Sequence, residues 1–303
     1  MKLKPLLVSF AALALASVAQ AQTKWDMPTP YSDGEFHTIN VHSNGSLIKH
    51  PDILRAVSTG QVPIGEFLLG QFSNEDPVFA VDNLPFLAAG YDNAWKLYQA
   101  QKGILEKKLN GRGLLLLYSV AWPGQGLYTK NPLKSVDDFK GVKFRTYSPQ
   151  TARLAELLGA SPTVIQVPEV PQAFATGTIS AMITSSATGQ QTKAWEFVKN
   201  YYTTSAWHPK NVVVINNRTW QGLPAAQKKA LADASAAAEK RGWEMSRKRE
   251  GDANKLLADN GMTVHAPDAA LMAAMNKIGD TITAEWLKVA GADGEAIVKA
   301  YRK

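Results

Sequence analysis

The stretch GVKFRTYSPQTARLAELLGASPTVIQV, residues 141–167, contains the pattern on which the predicted fold depends. A short strand with Phe144 facing inward is followed by a helix over about 150–158 and by a second strand, 161–167. Strand, helix and strand in this order are typical of an α/β fold. Arg145 lies inside the first strand, and an arginine is rarely buried without a partner. That partner is either a carboxylate of this chain or a carboxylate that arrives from outside.

Two earlier segments repeat the alternation of helix and strand. Residues 50–69 predict a helix that Gly60 ends, followed by a strand. In residues 94–122 an amphipathic helix precedes the apolar run 114–120, which suits a strand covered on both faces. These units form one set and residues 134–220 form another, so the sequence predicts an α/β fold of two lobes. Ligands of such folds bind in the crevice at the carboxyl ends of the strands.

The C-terminal third predicts long helices. Ala, Lys, Glu and Leu dominate residues 224–260, which predict one helix, with Gly242 and Gly251 as the points where it can be interrupted. At 1.5 Å per residue it would run on the order of 50 Å, enough to brace both lobes. A final amphipathic helix is predicted over 272–287. The predicted division of the chain is lobe I, 22–122 with about 210–245, and lobe II, 123–209 with about 246–303.

The N-terminus predicts a secretory signal peptide, residues 1–21. Lys2 and Lys4 precede the apolar run 6–18, and Ala19-Gln20-Ala21 has the small residues of a cleavage site. No later segment approaches about 18 unbroken apolar residues. The mature chain is therefore expected to be a soluble, exported protein.

The composition excludes several classes of function. With 303 residues, 45% of them hydrophobic and 19% charged, the chain has the composition of a globular protein with a sizeable core. The net charge of +7 is not gathered into a basic stripe with stacking aromatics, so a nucleic-acid partner is not expected. The chain has no cysteine, which excludes disulfides and thiolate chemistry. Because no catalytic or cofactor motif is found, we expect neither an enzyme nor a cofactor nor a metal.

Polar and aromatic residues at strand ends are the candidates for a binding site. Arg145 can hold a carboxylate through two parallel hydrogen bonds. Thr184 and Ser185 end a strand with neutral hydroxyls, Trp122 ends the apolar run 114–121, and Trp207 precedes a proline-marked turn. From the sequence alone, a place in the core is favoured over a place in a ligand site for each tryptophan, and an internal ion pair for Arg145 stays open.

The chain resembles the DctP-type periplasmic solute-binding proteins of tripartite ATP-independent periplasmic (TRAP) transporters. The resemblance runs from about Trp25 to the C-terminus. Its most specific part is PLKSVDDFKGVKFRTYSP, followed by ELLGASPTVIQVPEVPQAFATG, and it includes LPFL (84–87) and NRTWQGLP (217–224). The resemblance implies a two-lobed fold that closes on its ligand, with Arg145 holding the ligand carboxylate. It also implies a monomer whose partners are a small carboxylate and the two integral membrane subunits of the transporter.

Departures from the family pattern suggest a particular ligand. Gln125 stands where many members have a second basic residue, and residues 180–184 lack the usual DGxxN. The segment IGEFLLG (64–70) has Phe67 where polarity is usual. We therefore expect a monocarboxylate with an apolar, aromatic body, such as an aryl 2-oxo acid. The alternatives are a sugar acid, a short hydroxy or dicarboxylic acid, or a sensing receptor on the same fold. The expected ligand-binding residues are Arg145, Trp122, Gln125, Tyr147, Thr184, Ser185, Trp207 and Phe67.

One departure concerns the length of the first lobe. Members of the family usually have an amphipathic helix and the start of a strand between the segments that correspond to GEFHTIN (34–40) and VHSNGSL (41–47). In this sequence Val41 follows Asn40 directly, with no such helix between the two segments. We expect lobe I to be about twenty residues shorter than is usual.

Overall fold

The computed structural model describes residues 26–28 and 40–303. The predicted signal peptide, residues 1–21, lies outside these described residues. The junction of Asn40 and Val41 falls inside a short strand, and the shortened first lobe stays a prediction. Within the described ranges, no helix is both long and apolar enough to span a bilayer.

Eleven strands form the described sheets. They are β1 (Asp26–Pro28), β2 (Asn40–His42), β3 (Ile64–Leu68), β4 (Leu114–Ala121), β5 (Gln125–Thr129), β6 (Lys143–Thr146), β7 (Ser161–Val164), β8 (Ala181–Ser185), β9 (Asn200–Tyr202), β10 (Lys210–Asn216) and β11 (Thr263–His265).

Eight α-helices lie between and after these strands in the described ranges. They are α1 (His50–Thr59), α2 (Tyr91–Asn110), α3 (Pro149–Leu157), α4 (Val170–Ala175), α5 (Ser186–Gln191), α6 (Asn217–Gly222), α7 (Ala225–Asp259) and α8 (Ala269–Tyr301). Five single-turn or short 3₁₀ helices join them at Leu69–Phe72, Pro77–Asn83, Val136–Phe139, Val167–Glu169 and Ala194–Glu196.

The strands form two main sheets. One has three strands in the order β3-β10-β4, with β10 antiparallel to both neighbours. The other has six strands in the order β11-β9-β5-β8-β6-β7, in which β6, β7 and β8 run parallel. A separate parallel pair, β1-β2, contacts β3. The fold is mixed α/β, as the sequence predicts. The residue bounds of the two lobes stay a prediction. Helix α8 contacts α2, which is assigned to lobe I, as well as α3, which is assigned to lobe II.

Local sequence signals account for the ends of several elements. Gly60 ends α1 in the left-handed conformation at φ 80°, as predicted. Ser148 caps α3, where it accepts a hydrogen bond from the Thr151 amide. Strand β10 ends at Asn216. The Asn216 side chain accepts hydrogen bonds from two following amides and thereby starts α6.

The long helix α7 is continuous over 35 residues, about 52 Å at 1.5 Å per residue. Neither Gly242 nor Gly251 interrupts it. A Cβ atom at Gly242 would lie 2.5 Å from the Val120 side chain, so this glycine lets α7 pack closely on β4. The helix also contacts α5 and β11 and therefore touches both main sheets. The predicted last helix, 272–287, lies in the first part of α8, which breaks at Gly291 (φ 55°, ψ −139°) and continues after this kink to Tyr301.

A buried ion pair joins the two halves of the core near β10. Lys210 Nζ lies 2.9 Å from Asp82 Oδ2, and the two side chains are 1% and 2% exposed. The Lys210 amide and the Asn83 side chain donate to the same carboxylate. Burial lowers the pKa of Lys210, while the Asp82 charge opposes this shift. The pair fixes the 3₁₀ helix Pro77–Asn83 against β10, because both charges are shielded from water and separating them would leave each without a partner.

We predict that removing one partner of this ion pair lowers the free energy of unfolding more than removing both charges does. Lys210→Met leaves a buried carboxylate without its cation and should lower the free energy of unfolding by about 3–5 kcal/mol. The double variant Asp82→Asn/Lys210→Met should lose less than the single variant, measured by urea unfolding. As a control, Lys229→Met removes an exposed ion pair with Asp233 and should change stability by at most about 1 kcal/mol. A double variant that loses as much free energy of unfolding as Lys210→Met, or more, would contradict this account.

Candidate functional site

A cleft opens at the carboxyl ends of the parallel strands. Its walls come from α1, from the end of β3 and the turn after it, from β5, β6, β8 and α5, and from the segments that follow β4, β6 and β7 or precede β10. The lining residues are His50, Leu68, Gln71, Trp122, Gln125, Arg145, Tyr147, Gln166, Val167, Thr184, Ser185, Thr188 and Pro209. Strands β6, β7 and β8 all end here, which is where ligands of α/β folds bind.

Arg145 lies at the floor of this cleft with only 1% of its surface exposed. Its Nε donates a hydrogen bond of 2.9 Å to the carbonyl oxygen of Ile165, the residue after β7. The guanidinium carbon lies 5.0 Å from the centre of the Tyr147 ring, within reach of a cation–π interaction. These two contacts fix the plane of the guanidinium. A fixed planar fork is the group that pairs best with a carboxylate.

Tyr147 and Gln125 form a hydrogen-bonded chain beside the arginine. The Tyr147 hydroxyl donates to Gln125 Oε1 at 2.9 Å, and Trp207 Nε1 donates to that hydroxyl at 3.2 Å. The Gln125 amide nitrogen donates to the carbonyl of Pro123. Burial raises the pKa of Tyr147, so the phenol is neutral. The chain holds Tyr147 and Gln125 in one orientation.

Trp122 is oriented through its indole nitrogen. Nε1 donates 2.8 Å to Asn211 Oδ1, and the Asn211 amide in turn donates 2.7 Å to Glu66. With its polar edge held on β10, the ring gives the cleft a flat apolar wall.

His50 and Gln166 meet across the cleft. The Leu68 amide donates to His50 Nε2 at 3.0 Å, so the ring hydrogen is on Nδ1, which lies 3.1 Å from Gln166 Oε1. This contact links α1 with the segment after β7, 116 residues further along the chain. Burial lowers the pKa of His50 to about 4, and the Arg145 charge adds to this effect. His50 is therefore neutral at neutral pH.

Hydroxyls form the side of the cleft that β8 supplies. Ser185 Oγ accepts a hydrogen bond from the Thr188 amide and lies 3.1 Å from the Thr188 hydroxyl. The Ser185 carbonyl accepts from Tyr128. Ser185 is the N-cap of α5, which explains why a strand that turns polar ends at this position.

Six of the eight expected residues line the cleft: Arg145, Trp122, Gln125, Tyr147, Thr184 and Ser185. The structure places the other two elsewhere. Phe67 is fully buried and packs edge-to-face on Phe72, 5.0 Å between ring centres. Trp207 is 2% exposed and lies behind Tyr147.

Sequence reasoning missed seven lining residues: His50, Leu68, Gln71, Gln166, Val167, Thr188 and Pro209. Gln166 and Val167 are the last two residues of the predicted strand 161–167, and a place at a strand end was a usable signal. His50 and Gln71 belong to the other wall, and only the tertiary fold brings them to Arg145.

The described lining carries one permanent charge, the guanidinium of Arg145. Its remaining members are neutral amides, hydroxyls, aromatic rings, aliphatic side chains and the neutral His50. Within residues 26–28 and 40–303 no cluster of three or more His, Asp or Glu could hold a metal ion. The arrangement suits one anionic group on Arg145 and neutral hydrogen bonding around it.

Comparison with known proteins gives a consistent set of relatives. Residues 22–288 match the family described as bacterial extracellular solute-binding protein, family 7. The C4-dicarboxylate-binding periplasmic protein DctP of Rhodobacter capsulatus is 28% identical over 284 residues, 91% of this chain and 84% of that protein.

Two solved structures cover nearly the whole fold. The Bordetella pertussis extracytoplasmic solute receptor DctP6, described as binding pyroglutamic acid, is 46% identical, with a TM-score of 0.90 over 92% of this chain and 99% of that chain. A marine metagenome TRAP solute-binding protein with co-purified pyroglutamate is 38% identical, with a TM-score of 0.89 over 92% and 98%.

The neutral state of His50 predicts a loss of stability in acid. The unfolded chain takes up a proton on this ring near pH 6.5, whereas the folded protein does so only near pH 4. Between these values the unfolded state binds more protons, so the free energy of unfolding falls as the pH falls, by about 3 kcal/mol in all for this group. In His50→Gln the fall between pH 7 and pH 4.5, measured by urea unfolding, should be smaller. Identical falls in the two proteins would show that His50 does not carry this effect.

Proposed function

The chain belongs to the bacterial extracellular solute-binding proteins of family 7, the DctP family of periplasmic receptors for TRAP transporters, and on this premise we propose that it captures pyroglutamate or a closely similar cyclic monocarboxylate. Members of this family are two-lobed binding proteins of the periplasm and not enzymes. In the proposed role the receptor works as a monomer, without nucleic acid, and delivers its solute to the membrane subunits of the transporter.

The observation that carries the proposal is the buried guanidinium of Arg145 in a cleft whose other described lining groups are neutral. In this proposal the ligand carboxylate pairs with the fork of Arg145. The contacts of Arg145 with the Ile165 carbonyl and the Tyr147 ring support it, because they fix the fork before the ligand arrives. A carboxylate that binds there gains charge-assisted hydrogen bonds in a site with little water.

The charge of the lining favours a monoanion over a dianion. His50 is the described lining residue that could supply a second cation, and its lowered pKa keeps it neutral at the pH of the periplasm. Gln125, at the position where many family members have a second basic residue, is neutral as well. A second ligand carboxylate would lose its hydration without gaining a counter-charge, which is unfavourable. This argues against a C4-dicarboxylate, the ligand class in the name of the Rhodobacter capsulatus relative.

The polarity of the lining favours a lactam ring over an aryl body. Of the four aromatic residues expected to surround an aryl group, Phe67 and Trp207 do not line the cleft, while Trp122 and Tyr147 do. Amides and hydroxyls take up much of the remaining wall. The ring of pyroglutamate has a flat face for Trp122 and also one N–H and one C=O, which need hydrogen-bond partners. Solved relatives at 38% and 46% identity with bound pyroglutamate support this choice.

We predict that Arg145→Ala weakens pyroglutamate binding by at least about thirtyfold, since a desolvated carboxylate loses its partner. Arg145→Lys should also weaken binding, because an ammonium group cannot provide two parallel hydrogen bonds. Isothermal titration calorimetry measures both. The matched control is Arg153→Ala, which removes an exposed arginine that pairs with Glu285 on the surface and should leave Kd unchanged. Wild-type affinity in folded Arg145→Ala would rule out Arg145 as the carboxylate partner.

A panel of acids tests the ligand class. Pyroglutamate at 100 times its Kd should stabilise the protein by about 2.7 kcal/mol and raise Tm clearly. Succinate, galacturonate and phenylpyruvate at the same concentration should produce smaller shifts. If phenylpyruvate shifts Tm and pyroglutamate does not, the aryl acid is the better assignment. If only succinate raises Tm, the inference that a lining with one cation selects a monoanion fails.

A further inference from the structure

We infer that Gln71 is the residue by which this cleft distinguishes a lactam from other small cyclic acids, because its side-chain oxygen accepts the ring N–H of the ligand. The inference rests on the proposed function, since it concerns the same cleft and the same ligand class. It assigns a specificity role to a residue for which the sequence pattern gives no signal.

The first observation is an unused acceptor. Gln71 lines the cleft, and its Oε1 is buried. Among the residues that the structure describes, no group donates a hydrogen bond to this oxygen. A buried acceptor without a donor is unfavourable and is uncommon in folded proteins. A donor on the bound ligand would remove this penalty.

The second observation is that the other side-chain acceptors of comparable type are already engaged. Gln125 Oε1 accepts from the Tyr147 hydroxyl, and Gln166 Oε1 accepts from His50 Nδ1. His50 Nε2 accepts from the Leu68 amide. Among the amide and imidazole acceptors of the described lining, Gln71 Oε1 is therefore the one that a ligand donor would find unoccupied.

The third observation is that the backbone of Gln71 is held firmly. It lies in the short 3₁₀ helix Leu69–Phe72, directly after β3. A Cβ atom at Gly70 would lie 2.1 Å from the Asn83 side chain, so the preceding residue packs closely against the next segment. On the following side, the Ser73 hydroxyl donates 3.1 Å to Gln150 Oε1 of α3. An acceptor on a fixed turn can select for a donor at a fixed place.

The chemistry of the ligand matches this acceptor. At neutral pH pyroglutamate is a monoanion, and its ring N–H is its one conventional hydrogen-bond donor. The carboxylate and the lactam carbonyl only accept, so Arg145, the hydroxyls and the amide nitrogen of Gln166 suit them. Replacement of the N–H by a ring oxygen would place two lone pairs against each other at Gln71, with almost no change in ligand shape or charge.

The test compares pyroglutamate with the lactone 5-oxotetrahydrofuran-2-carboxylate, in which a ring oxygen replaces the N–H. Calorimetry on the wild-type protein should show at least about tenfold tighter binding of the lactam. In Gln71→Met, which keeps the length of the side chain but removes the acceptor, this ratio should fall to about one. In the control Gln166→Met the binding of both ligands should weaken while the ratio is kept, because the Gln166 oxygen already accepts from His50.

The outcomes separate the inference from the proposed function. Equal binding of lactam and lactone by the wild-type protein would overturn the role of Gln71 and leave the carboxylate site intact. A lactam preference that survives in Gln71→Met would also overturn it. If the wild-type protein binds neither acid, the proposed function itself fails. If Gln71→Met does not fold, Gln71→Leu, which also removes the acceptor, takes its place in the same comparison.

Discussion

A permanent cation inside a packed strand is the constraint on which the rest of this site depends. Arg145 cannot lose its proton, and almost none of its surface is exposed. The fold must therefore surround it with oriented acceptors and aromatic faces, and the Ile165 carbonyl and the Tyr147 ring supply these. The ends of β6, β7 and β8 bring these groups to one edge of the sheet. A site built around one fixed cation is suited to a ligand with one carboxylate.

Desolvation sets the charge of the remaining lining. The same burial that makes a carboxylate partner favourable for Arg145 lowers the pKa of His50 and raises that of Tyr147. Both rings are then neutral hydrogen-bonding groups, and they orient Gln166 and Gln125. Because His50 and Gln166 come from opposite walls, their hydrogen bond also joins the two sides of the cleft. Burial thus keeps His50 neutral, and the neutral ring makes the hydrogen bond that connects the two walls of the cleft.

Local patterns in the sequence predict much of this architecture, and side-chain direction explains where they fail. The glycine at the end of α1 and the long helix α7 each follow from nearby residues. Phe67 and Leu68 are adjacent on β3, and adjacent strand residues point to opposite faces. The sequence does not say which of them faces the cleft, and the structure gives that place to Leu68. His50 and Gln71 were missed because their relation to Arg145 depends on contacts between distant parts of the chain.

The central claim is that Arg145 receives the carboxylate of a bound solute. A crystal structure of the protein with pyroglutamate tests this most directly, because it shows where the carboxylate lies. The account predicts two hydrogen bonds of about 2.7–2.9 Å between the ligand carboxylate and the Arg145 guanidinium, with the ring against Trp122. A ligand bound with its carboxylate away from Arg145, while a carboxylate of the protein occupies the guanidinium, would contradict it.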